Sequence, residues 1–119
     1  MSIQLIDKVK IGPYTFDIND RSEEWHRSTG DYGSTLIDNL VINVVTEDRP
    51  AMFVLDTLLH EIVHGIWEVW HLGNDDEQEE RIVASLSTAI LGVLKDNPDL
   101  RKLIEDVING KYDRTKKAK

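Results

Sequence analysis

At 119 residues, with 40% hydrophobic and 30% charged residues, seven Gly and three Pro, the chain has a globular composition and room for one hydrophobic core. A single domain over residues 1–119 is therefore expected. The net charge of −8 excludes a binder that works by neutralising nucleic-acid phosphates, which needs a concentrated basic face. The absence of cysteine excludes disulfides and Cys-ligated zinc, so any metal must be held by His and carboxylate.

The N-terminal "MSIQLIDKVKIG" has neither a cationic start nor an apolar run of signal-peptide length, and no segment approaches transmembrane length without a charge. A cytoplasmic location without membrane contact follows. "KVKIGPYTFDI" places two runs of β-branched and aromatic residues around Gly12-Pro13, and "STLIDNLVINVV" repeats the pattern around Asp38-Asn39. Both predict hairpins, together forming one small antiparallel sheet. The polar stretch between them, "NDRSEEWHRSTGDYG", leaves its conformation open.

The period then changes to that of helices. Asp48 or Thr46 is positioned to cap a helix that tolerates Pro50 in its first turn and runs to about Leu72, where Gly73-Asn74 stops it. A second helix starts in "NDDEQEE", whose negative charge suits a helix N-terminus, and continues to about Lys95. Asp96-Asn97-Pro98 closes it and opens a third through about Asn109. Strands first and helices after give an α+β fold: two hairpins in one sheet, then three helices. The closing cluster Arg114, Lys116, Lys117 and Lys119 reads as a solvated tail.

The first helix is apolar almost all round, from Met52 to Trp70, which predicts a buried central helix. Its polar positions fall in one stripe: Asp56 or Thr57, then His60 and Glu61, His64, Glu68 and His71. His60 and His64, at i and i+4, have Cβ atoms about 6 Å apart on one face, so their imidazoles can converge on one ion. Glu61 is rotated about 100° from His60, too far to be an easy ligand. It is close enough to take a proton from a water activated by Zn²⁺. Burying three ionisable groups without a partner would cost several kcal/mol, which favours the metal over an incidental His-Glu-His grouping. Gly65 removes bulk where another element or a substrate can approach.

Catalytic zinc normally takes three protein ligands. The candidates for the third are Glu68, His71, His26 and the acidic cluster Asp75, Asp76, Glu77, Glu79, Glu80. Glu68 and His71 lie about 6 and 10 Å beyond His64 along the same helix, out of reach of an ion beside His60. The second helix must therefore supply the ligand, through Glu79 or Glu80. Periodicity slightly favours Glu79, nearest the centre of the stripe Ile82, Val83, Leu86, Ile90, Val93.

"HEIVH" followed on a second helix by "EERIVASLSTAIL" resembles the gluzincin class of zinc metallopeptidases, in which a glutamate on the helix after HExxH is the third ligand. More specifically, Thr57 to Leu100 is similar to small phage-encoded, minigluzincin-like proteins related to the ImmA/IrrE group. There the ligand glutamate is followed by a small or apolar residue at three positions, a bulky apolar one at six and a small one at seven. Glu80 fits, with Val83, Leu86 and Ser87. The resemblance implies His60, His64 and Glu80 as zinc ligands and Glu61 as general base and acid in peptide-bond hydrolysis. The implied partner is a peptide or protein substrate. The chain departs from larger gluzincins in having no clear downstream His or Tyr for the oxyanion, for which His71 and Tyr32 are the candidates. An edge strand within Thr35 to Val45 offers an extended peptide a place to pair, and the free edge also offers a route to dimerisation. The alternative function is a zinc-stabilised regulatory or protein-binding module without turnover.

Overall fold

The computed structural model describes residues 4–111; the basic C-terminal cluster lies outside them. The elements in order are β1 (Lys8–Ile11), β2 (Tyr14–Arg21), α1 (Glu23–Thr29), β3 (Gly33–Leu36), β4 (Val41–Val45), α2 (Ala51–Trp70), α3 (Asp76–Asp96) and α4 (Pro98–Ile108). The expected α+β class holds. The details differ in two ways.

The sheet is mixed rather than antiparallel. Each predicted hairpin forms, β1 against β2 and β3 against β4, both antiparallel. The hairpins join through β2 and β4, however, which run parallel, giving the order β1-β2-β4-β3. Parallel neighbours need a long crossover rather than a tight turn. The segment whose conformation the composition left open supplies it, and this is the second difference: it contains the helix α1, making four helices instead of three. Ser22 caps α1 by accepting from the Trp25 amide, Glu23 and Glu24 fill its first turn, and Gly30 closes it in the left-handed conformation at φ 80°. The strand open to an added peptide is consequently β3, since β4 is paired on both sides.

Backbone contacts group the chain into two units, Met1–Thr88 and Ala89–Lys119. In the first, α2 packs on one face of the sheet. Ile11, Phe16, Ile42 and Val44 from the strands and Val54 and Leu58 from the helix form the buried core, with Ile62 and Val69 against it. Positions 54, 58, 62 and 69 fall on one helical stripe. Gly65 lies on the same side, where an added Cβ would come within 2.7 Å of Ile11 Cδ1, so its missing side chain serves contact with the sheet. The helix is not buried all round: Phe53 and Trp70 are more than half exposed. Trp70, Ile66 and Leu72 instead border an apolar cavity of about 450 Å³ with Val9 and Ile11.

The helix ends also depart from expectation. Pro50 occupies the N-cap of α2 without a side-chain bond. Thr46 is diverted to Asp20, to which its hydroxyl donates, and Asp48 sits in a left-handed turn at φ 57°. At the other end the left-handed cap is His71, with its amide directed at the Glu68 and Trp67 carbonyls, two residues before Gly73. Asp75 accepts from the amides of Glu77 and Gln78 and starts α3. In the second unit α4 buries none of its residues and leaves Leu103, Ile104, Val107 and Ile108 exposed. Among the described residues no helix is long and apolar enough to cross a membrane.

Candidate metal centre

The i, i+4 spacing on α2 places the His60 and His64 rings 4.8 Å apart between centroids, with their Nε2 atoms 3.1 Å from one another. The first turns of α3 bring two adjacent glutamates to them. Glu80 straddles the pair, Oε1 3.0 Å from His60 Nε2 and Oε2 2.9 Å from His64 Nε2. Glu79, almost fully buried, reaches the opposite nitrogen of the same ring, its Oε2 2.7 Å from His64 Nδ1.

These contacts settle what the cluster can hold. An ionised carboxylate only accepts, so Nδ1 of His64 donates to Glu79 and, in the neutral ring, Nε2 is left with a lone pair. That lone pair faces a Glu80 oxygen that is likewise an acceptor. Two acceptors at 2.9 Å repel unless a cation, a proton or a metal ion, lies between them. His60, His64 and Glu80 form a group whose donor atoms all lie within 4.8 Å of one another and that can bind a metal ion. A four-coordinate ion with bonds of about 2.0–2.1 Å sets its donors about 3.3 Å apart. The observed separations of 2.9 to 3.1 Å are within a few tenths of an ångström of this. Two imidazoles and a carboxylate are also the donor chemistry that borderline divalent ions such as Zn²⁺ accept. The residues present fit the group.

Periodicity favours Glu79 as the third donor, but Glu79, the more buried of the two, reaches the far side of His64 rather than the Nε2 atoms, and Glu80 joins the His60–His64 group instead. Glu80, 60% exposed at its side chain, lies at the rim where both rings open. Glu79 holds the His64 ring by Nδ1, a contact that fixes the position of that ring.

Glu61 is 6% exposed beside this cluster. The Thr35 hydroxyl on β3 lies 2.7 Å from Glu61 Oε1 and 2.9 Å from the Glu61 carbonyl, tying the edge strand to α2. Oε2 of Glu61 makes no hydrogen bond among the described residues, and the side chain lines the cavity that opens onto the histidines. Burial pushes the Glu61 carboxyl above its usual value of 4.5; the Thr35 bond and then His60 and His64 pull it back, and Glu80 adds to the rise. A carboxyl whose folded pKa is raised contributes stability below its unfolded pKa and loses it as pH rises through the folded value. In chelator, Glu61→Gln is therefore expected to melt roughly 2–5 °C higher than the parent at pH 7, and the gap to close below about pH 4.5, in paired thermal melts.

Neither Thr35 nor Gly33 stands out in the sequence, since threonine is an ordinary strand residue. At Gly33 an added Cβ would lie 2.8 Å from Thr57 Cγ2 and 3.0 Å from both the Asn43 carbonyl and Glu61 Cγ. The backbone contact cannot swing aside. Gly33→Ala is expected to destabilise by about 1–3 kcal/mol in urea unfolding, by pushing β3 off Glu61.

Between β3 and α2 a cavity of about 500 Å³ opens onto the histidines and the three glutamates 61, 79 and 80. Of the other sequence candidates, Glu68 and Tyr32 line this cavity without joining the donor group. Tyr32 is sandwiched between the His26 ring at 3.8 Å and the Arg49 guanidinium at 4.1 Å. His26 directs Nδ1 at the Asp31 carbonyl, His71 caps α2, and Asp75, Asp76 and Glu77 serve the start of α3.

No protein-family model, curated protein or solved structure matches the chain.

Proposed function

We propose that the chain is a zinc-dependent peptidase of gluzincin type, with His60, His64 and Glu80 as the metal ligands. The observation that carries this is the convergence of the Nε2 atoms of two imidazoles and one carboxylate at about 3 Å, beside a buried glutamate that lines the same cavity. When bound, Zn²⁺ supplies Lewis-acid polarisation of a carbonyl and a lowered pKa for water.

The chain's own residues do the rest. Thr35 holds Glu61 by Oε1 and leaves Oε2 to the cleft. Glu61 takes a proton from the attacking water there and delivers it to the leaving amine. Glu79 keeps His64 in the tautomer that directs Nε2 inward. The edge of β3 is available to an extended peptide, whose backbone would pair with it. Of the two oxyanion candidates, Tyr32 lines the cavity, whereas His71 caps α2.

The second reading is a metal-stabilised binding module without turnover. One observation favours it: among the described residues no Lys, Arg or third His lines the cavity to stabilise a developing negative charge. Incubation with unstructured peptides under zinc separates the two. The peptidase reading expects cleavage that a chelator abolishes and zinc restores; intact peptides in the presence of stoichiometrically bound zinc would favour the binding module.

A further inference from the structure

The walls of the cavity lack two things. No aliphatic side chain lines it, and among the described residues no Lys or Arg does. Six carboxylates do: Asp31, Asp56, Glu61, Glu68, Glu79 and Glu80. The last-named pair and Glu61 are occupied by the centre described above. Asp31, Asp56 and Glu68 are not, and none of these three makes an ion pair among the described residues. Asp56 accepts from the Thr88 hydroxyl at 2.8 Å, a neutral partner, and its charge acts on the neighbouring Arg49 without forming an ion pair. The nearby Arg49 spends its guanidinium on the Val45 carbonyl, the Thr57 hydroxyl and the face of Tyr32.

Placement matters more than number. Residues 56, 60, 64 and 68 follow one another at four-residue steps on α2, so Asp56 and Glu68 bracket the histidine pair on one helix face. Each stands about 6 Å along the axis from its neighbouring histidine. Side chains on one face of an extended peptide repeat at about 6.6 Å. For an extended occupant that runs along this helix face, a bond held at the histidines sets the flanking side chains within reach of one or both carboxylates. An apolar flanking side chain finds no apolar wall to bury against, and an acidic one meets like charge. Even a divalent ion at the centre leaves the six-carboxylate lining in negative excess.

We propose that this cleft selects peptides with lysine or arginine side chains beside the bond presented to the histidine pair, and that Asp56 and Glu68 determine that selectivity. The placement of the peptide rests on the peptidase reading; its test does not require turnover. The zinc-loaded Glu61→Gln chain is titrated at 150 mM NaCl, by fluorescence anisotropy, with a fluorescein-labelled nonapeptide of lysine and alanine and with the same peptide acetylated on every lysine. The lysine peptide is expected to bind at least fivefold more tightly. Adding Asp56→Asn and Glu68→Gln is expected to bring that ratio within twofold. A control pair, Glu24→Gln with Asp38→Asn, makes the same charge change at exposed sites that do not line the cavity and is expected to leave the ratio unchanged. Glu68→Gln alone, at an exposed position, keeps the test valid if the Asp56 variant unfolds, and is expected to lower the ratio at least twofold. Equal affinities for the two peptides, or an equal loss in the control pair, would overturn the proposal. The peptidase reading fails separately, if the parent chain cleaves neither peptide while the binding preference persists.

Discussion

Glu61→Gln is expected to lower zinc-dependent peptide hydrolysis by about 10²–10⁴-fold while leaving bound zinc unchanged. Glutamine preserves the shape of the side chain and can still accept from Thr35, so the tie between β3 and α2 survives. It cannot take a proton. Because Glu61 is not among the three converging donors, the metal content is insulated from the change. The two readouts together separate a base from a ligand. Activity that persists with zinc in place would remove Glu61 from the chemistry, and zinc lost with activity would make it part of the coordination.

The second large effect is an ordering rather than a single loss. Glu79→Ala is expected to weaken zinc binding by about 10–100-fold, the usual consequence of removing a partner that orients a ligating histidine. Glu80→Ala removes a donor from the set itself and is expected to weaken it by more than about 100-fold, measured by competition with a chromophoric chelator. The distances dictate this order: Glu79 touches His64 at Nδ1, whereas Glu80 touches both Nε2 atoms. The reverse order would exchange the roles of the two glutamates.

The part of the site carried on one helix was legible from the sequence, because i, i+4 spacing fixes relative position without knowledge of the fold. His60, Glu61 and His64 stand as that spacing places them. Choosing between Glu79 and Glu80 needed more. Periodicity finds the residue that points furthest inward, and the donor position in this cleft lies at its rim. Thr35 and Gly33 were illegible, since their roles arise from the meeting of β3 with α2, residues distant in sequence. The same limit explains the sheet. Hairpins are local and appeared where Gly12-Pro13 and Asp38-Asn39 put them, but which hairpin edges join is a long-range outcome. The helix α1 is a different case: Ser22, Glu23, Glu24 and Gly30 spell a cap, an acidic first turn and a stop, and the surrounding polar residues obscured them. Thr46 and Asp48 show the converse, good capping residues that tertiary contacts and turn geometry claimed for other uses.

The central claim, that His60, His64 and Glu80 hold one metal ion, is tested most directly by calorimetric titration of the chelator-treated chain with zinc. The expected result is one equivalent bound per chain, a rise in unfolding stability of about 2.7 kcal/mol when free zinc is a hundredfold above the dissociation constant, and loss of both in His64→Ala. A parent chain that binds no stoichiometric zinc, or a His64→Ala chain that binds it unchanged, would contradict the assignment.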